Sequence, residues 1–184
     1  MANKVVPVLE PILEKLGRAQ RGLLRAADAV PADLWKTTPK PGAWSAAELV
    51  AHLMIVERSV IRTADKILRK TPKPIPLFKR FHLPLAAVEL RVVRRKTPLP
   101  LDTALVHEKE DMLAELREVR ERTLAFMDET KSRDLCVYRW RHPFLGSLSA
   151  YEWFSFIASH ELRHEKQMRE IAAGLPKAIA LSQK

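Results

Sequence analysis

A single cysteine, Cys136, is all that this chain of 184 residues holds, which removes an internal disulfide framework and any cysteine-based zinc ribbon. A lone thiol fits a reducing compartment, so a cytoplasmic location is expected. No apolar run approaches the ~18 consecutive residues of a membrane span. The opening residues Met1–Val8 carry Lys4 and Pro7 but no apolar segment or small-residue cleavage site, so no signal peptide is expected either. Internal repeats and a convincing strand pattern are also missing. With 47% hydrophobic and 29% charged residues, the composition excludes disordered and collagen-like classes. Residues 1–184 read as one domain, large enough to bury a core unaided.

Acidic residues are outnumbered, 22 against 32 basic, for a net charge of +10. The excess is local. Residues 66–96 hold ten Lys and Arg against the lone Glu89, so +9 of the +10 resides there, together with most of a proline-rich crossover between Pro72 and Pro100. Such a stretch raises nucleic acid or an anionic surface as a partner. Only Phe78 and Phe81 interleave with its charges, too few for a base-stacking platform.

Apolar residues elsewhere recur at helical spacing, and four helices are expected at about 8–30, 45–70, 102–129 and 149–173. The first carries Leu9, Ile12, Leu13, Leu16, Ala19, Leu23, Ala27 and Val30 and closes at Pro31. The second starts on a capping box, Ser45 with Glu48, with Trp44 placed to staple Leu49. Its inward face reads Leu49, His52, Ile55, Val56, Ser59, Thr63 and Ile67. Leu85–Arg95 carries a pattern compatible with a short helix inside the crossover. The third long helix takes Asp102 as N-cap, and residues 130–148 read as an irregular link. The fourth repeats the capping box with Ser149 and Glu152 and the staple with Leu148 and Trp153. It presents Trp153, Phe156, Ile157, His160, His164, Gln167, Met168 and Ile171 inward, and Gly174 and Pro176 end it. The expected fold is all-α: a four-helix bundle with one long crossover.

Three histidines sit where such helices present Leu, Ile and Phe. Burying an imidazole without partners costs roughly 1–3 kcal/mol, so His52, His160 and His164 need a reason, and a shared divalent metal supplies one. Imidazole suits Zn²⁺, Ni²⁺, Cu²⁺ and Fe²⁺ alike. Core histidines bonded to neighbouring helices are the plainer alternative. His82, His107 and His142 read as surface residues. The run His160, Glu161, Leu162, Arg163, His164 also satisfies the H-E-x-x-H pattern of zinc metallopeptidases, with Glu161 as general base. Only twenty residues follow His164, and none is a third histidine. One E-x-x-H half of a di-iron bundle is present, Glu161 with His164, without the second half.

Pro31–Trp35, then Pro41, Gly42, Trp44, Ser45, Glu48, His52, Leu53 and Glu57, and finally Gly146, Leu148, His160, Arg163, His164 and Gln167 together carry a family resemblance. The sequence resembles the DinB-like (YfiT-like) superfamily of metal-dependent enzymes. The resemblance implies an up-down-down-up four-helix bundle with His52, His160 and His164 as ligands to a divalent metal, often nickel or zinc. It also implies a small-molecule substrate and a homodimer. Related families include bacillithiol S-transferases, mycothiol-dependent maleylpyruvate isomerases and the N-terminal part of ergothioneine-forming sulfoxide synthases, which share a low-molecular-weight thiol activated at the metal. Trp44, Glu48 and Glu57 correspond as matching positions, and Gln167 is placed to support His164. The basic 72–100 crossover departs from the family pattern. The leading expectation is a metal-dependent transferase or hydrolase using such a thiol or activated water. An interaction protein docking through residues 66–96 is the alternative, and a metallopeptidase the minor one.

Overall fold

Ser45 Oγ accepts from the backbone N–H of Glu48 at 3.2 Å, and Glu48 Oε2 accepts from the N–H of Ser45 at 2.7 Å. The same reciprocal pair forms between Ser149 and Glu152, at 3.3 and 2.6 Å. Each box satisfies two of the donors that a helix start leaves open, which fixes where the two histidine-bearing helices begin. A computed structural model of the chain describes residues 9–72, 82–89 and 105–182, with side chains to Leu175. Its elements are α1 (Leu9–Asp28), a 3₁₀ turn at Ala32–Leu34, α2 (Ala46–Leu68), a single-turn α3 (Ala86–Glu89), α4 (Lys109–Thr130), strands β1 (Arg139–His142) and β2 (Gly146–Ser149), and α5 (Ala150–Ser182). The chain is predominantly helical, as expected for an all-α fold.

The core divides in two. One apolar cluster takes Leu9–Ala19 of α1, Val60–Leu68 of α2, Met127 of α4, the hairpin, and α5 up to Ala158. The other takes α1 from Leu23, α2 up to Met54, α4 up to Val119, and α5 from Met168. Buried between them lies a polar belt of His52, Glu57, Arg120, Thr123, Ser159, Glu161 and His164. Trp35, fully buried beside the second cluster, donates its indole N–H to Met112 Sδ at 3.4 Å.

Several expectations need correction. On α2 the buried stripe beyond Met54 is Glu57, Val60, Ala64 and Leu68, whereas Ser59 is exposed and Thr63 half-buried. The charge of Glu57 disguises a core position. Residues 105–108 are not α-helical, so the third long helix starts at Lys109 behind Glu108. Leu105 and Val106 instead pack against the second cluster, and Glu108 pairs with Lys36. Asp102 and residues 90–95 lie outside the described residues; of the segment Leu85–Arg95, Ala86–Glu89 is helical.

The fourth long helix does not end at Gly174 and Pro176 but runs to Ser182. A Cβ at Gly174 would stand 2.9 Å from Pro39 Cβ, so this glycine lets the 3₁₀ connection approach α5 rather than terminating it. The link at 130–148 contains an antiparallel hairpin, pairing Trp140 with Leu148 and His142 with Gly146. Two four-residue strands are too short to announce themselves by periodicity; docking holds them, with Trp140 stacked on Trp153 of α5 at 5.1 Å. His142 is buried, not on the surface. Its Nδ1 accepts from the N–H groups of Phe144 and Leu145 at 3.1 Å, closing the turn, and its ring lies 4.6 Å from Phe156. His82 also has a partner: its Nε2 is 2.7 Å from Glu152, which ties the α3 segment to the start of α5.

Replacing Ser45 by Ala removes one cap and should lower stability by about 1 kcal/mol, read as a Tm drop of roughly 2–4 °C; an unchanged melting curve would contradict the cap's role. Burial lowers the pKa of His142 from 6.5 to about 4. As pH falls from 6.5 toward 4, the unfolded chain takes up a proton that the folded chain refuses. His142 therefore costs no stability above pH 6.5 and at most about 3 kcal/mol near pH 4. His142→Asn keeps an acceptor for the turn and should make that acid limb shallower in chelator-treated protein, where other buried imidazoles still contribute to it. An acid limb identical to that of the unsubstituted chain would show that this imidazole is not responsible.

Candidate metal centre

His52 stands two turns into α2 from the Ser45 cap, and His160 and His164 stand one turn apart on α5. The fold brings all three together. Nε2 of His160 lies 3.3 Å from Nε2 of His52 and 3.2 Å from Nε2 of His164, and the three ligand atoms fall within 4.8 Å of one another. Trp44, just before the α2 cap, lies with its ring 4.9 Å from His52 and 6.3 Å from His164, while Phe156 stacks on His160 at 5.3 Å. Trp44 thus packs on the second cluster and closes one side of the imidazole group.

These contacts do not make a satisfactory hydrogen-bond network. Gln167 Oε1 lies 3.0 Å from Nδ1 of His164 and accepts its proton, which leaves Nε2 of His164 as a lone pair aimed at His160. Nε2 of His160 faces two nitrogens, yet a neutral imidazole nitrogen offers one hydrogen or one in-plane lone pair. It cannot satisfy both neighbours. Protonation is no remedy. Burial lowers the pKa of His52 to about 4, and burial together with the other two imidazoles and Arg163 holds His160 far below its ordinary value.

The donor set fits a divalent cation instead. Neutral imidazoles are the form that binds metal. Two nitrogens each ~2.0–2.1 Å from a tetrahedral ion stand ~3.3 Å apart, the separation that two of the three pairs already have. His52, His160 and His164 are therefore the residues able to hold such an ion, and Gln167 fixes one tautomer from behind, as partners of metal-binding histidines commonly do.

Glu161 lies elsewhere. Its carboxylate is buried and accepts from Arg120 Nη2 at 2.8 Å. Burial raises its pKa to about 7 against the pull of Arg120, with the Glu57 charge adding to the rise. A cavity of about 10 Å³, room for one water-sized group, is bounded by Leu53, Val56, Glu57, Ile157, His160 and Glu161. His107 is exposed, and His82 and His142 belong to the hairpin side of α5. Arg120 escaped the sequence reading, although the signal existed. Leu113, Leu116, Arg120, Thr123 and Met127 follow the 3,4,3,4 spacing of a buried stripe, with a charged residue at its centre.

Among the described residues no helix is long and apolar enough to cross a membrane. The chain is 32% identical over 148 residues to a Bacillus subtilis (strain 168) protein described as the uncharacterized protein YuaE, covering 78% of this chain and 87% of that one. The profile of the DinB superfamily matches residues 15–168, a span that takes in His52, His160 and His164, and this chain belongs to that superfamily.

Proposed function

We propose that this chain is a divalent-metal-binding enzyme of the DinB superfamily, a transferase or hydrolase whose nucleophile is a low-molecular-weight thiol or water. The observation that carries the reading is the convergence of three imidazole nitrogens, with Nε2 of His160 facing Nε2 of both His52 and His164 at 3.2–3.3 Å. A cation held by His52, His160 and His164 would supply positive charge that lowers the pKa of a thiol or water and so raises its nucleophilic fraction. Three imidazoles suit several divalent ions, and the family resemblance favours Zn²⁺ or Ni²⁺ among them. The chain's own residues hold the frame: Gln167 orients His164, while Trp44 and Phe156 flank the rings and limit access of water.

An up-down-down-up arrangement of the long helices accompanies this reading. Along α1 and α5 the chain passes from the first apolar cluster to the second, and along α2 and α4 from the second to the first, which supports that order of directions. The bond from Arg120 to Glu161 weighs against a metallopeptidase, whose general base must reach a water at the ion. Of the basic stretch proposed to meet nucleic acid, residues 73–81 and 90–96 lie outside the described residues, and Arg69 pairs with Asp65.

Protein purified without a histidine tag should carry about one divalent metal per chain by elemental analysis, and added Ni²⁺ or Zn²⁺ should raise the Tm of chelator-treated protein. His52→Ala and His164→Ala should each weaken metal binding by more than about 100-fold, beyond the 10–100-fold typical of a supporting residue. Metal-free protein with no thermal shift, and variants indistinguishable from the unsubstituted chain, would remove the proposal.

A further inference from the structure

Arg120 takes no part in the chemistry above, yet it is 3% exposed at the centre of the molecule. From α4 its Nε donates to Glu57 Oε1 at 2.8 Å and its Nη2 to Glu57 Oε2 at 3.0 Å. Nη2 also donates to Glu161 Oε2 at 2.8 Å, and Nη1 to the Leu16 carbonyl at 2.9 Å. One planar guanidinium therefore bonds to α1, α2 and α5 at once. The two carboxylates stand beside the histidines in the chain: Glu57 little more than a turn beyond His52 on α2, and Glu161 directly after His160 on α5.

Stability alone does not account for such a group. Buried ion clusters contribute little net stability compared with well-packed apolar residues of similar volume, because desolvation offsets the attraction. Another ion pair, Arg58 with Glu115 at 2.6 Å, already joins α2 to α4 in a half-buried position without touching α5. What Arg120 adds is geometry. Apolar side chains on α2 and α5 tolerate small slides and rotations, whereas a metal site needs its ligands held within about 0.5 Å. A rigid fork fixed to a carboxylate on each helix permits no such slide. Consecutive residues diverge by about 100° around a helix, so anchoring Glu161 also fixes the rotation that points His160 toward His52.

We infer that Arg120 is a positioning residue for the histidine centre, setting the register of α2 against α5 and with it the placement of His52 relative to His160 and His164. The inference rests on the metal reading above. It predicts that the contact between helices, not the His160–His164 pair within α5, is what loosens when the clamp is removed.

Co²⁺ serves as the probe, its affinity measured by chelator competition and its site by visible absorption, on the full chain without a tag. Arg120→Met strands two carboxylates, so the companion variant Glu57→Gln/Arg120→Met/Glu161→Gln removes every charge of the cluster together. Arg120→Lys keeps the charge but not the fork. In each variant that unfolds cooperatively, Co²⁺ should bind about 10–100-fold more weakly and with an altered visible spectrum. Arg58→Ala, which breaks the other α2–α4 pair, should bind Co²⁺ like the unsubstituted chain. A folded triple variant or Arg120→Lys variant with unchanged affinity and spectrum would overturn the inference. An unsubstituted chain that binds no Co²⁺ would remove the metal reading itself.

Discussion

Polar groups buried between two apolar clusters are the constraint on which the molecule depends. Each long helix crosses that level once, and each contributes there: the Leu16 carbonyl from α1, His52 and Glu57 from α2, Arg120 from α4, Glu161, His160 and His164 from α5. Taking these groups out of water is costly unless each finds a partner. On one side Arg120 supplies partners for two carboxylates and a carbonyl. On the other, three imidazoles face one another, and Nε2 of His160 cannot serve both of its neighbours. The belt is thus resolved by a guanidinium at one end, while at the other its imidazoles form the proposed cation site, and the two ends share the same helices.

That division also explains why the apolar clusters stop where they do. The first ends along α5 at Ala158 and the second resumes at Met168, with His160, Glu161 and His164 between them. Rings rather than aliphatic chains border the histidine side: Phe156 and Trp44 lie against the imidazoles, and Trp153 and His142 continue from Phe156 toward the hairpin. Flat, rigid side chains hold neighbouring rings in place with little freedom to lose, a suitable surrounding for a site that tolerates small errors poorly.

Much of this was legible in the sequence because it is written in local chemistry. Ser45 with Glu48 and Ser149 with Glu152 name their own helix starts, and the i, i+4 spacing of His160 and His164 follows from helical geometry alone. Position among apolar residues singled out His52. Features that depend on distant partners were not legible in the same way. Glu57 and Arg120 look like solvent-facing charges until the structure supplies each with the other. Gly174 looks like a helix stop until Pro39 is seen resting on it, and His142 looks like a loop residue until the turn at Phe144 and Leu145 closes over its Nδ1. Helix caps are local decisions, whereas a buried charge is a tertiary one.

The central claim is that His52, His160 and His164 act together on one ion. X-ray absorption spectroscopy of the chain loaded with one equivalent of Zn²⁺ tests it most directly. The expected result is a first shell containing three imidazole nitrogens at about 2.0–2.1 Å, with one of them lost in His52→Ala. A shell dominated by carboxylate oxygen or by the Cys136 sulfur, or one unchanged by removal of His52, would contradict it.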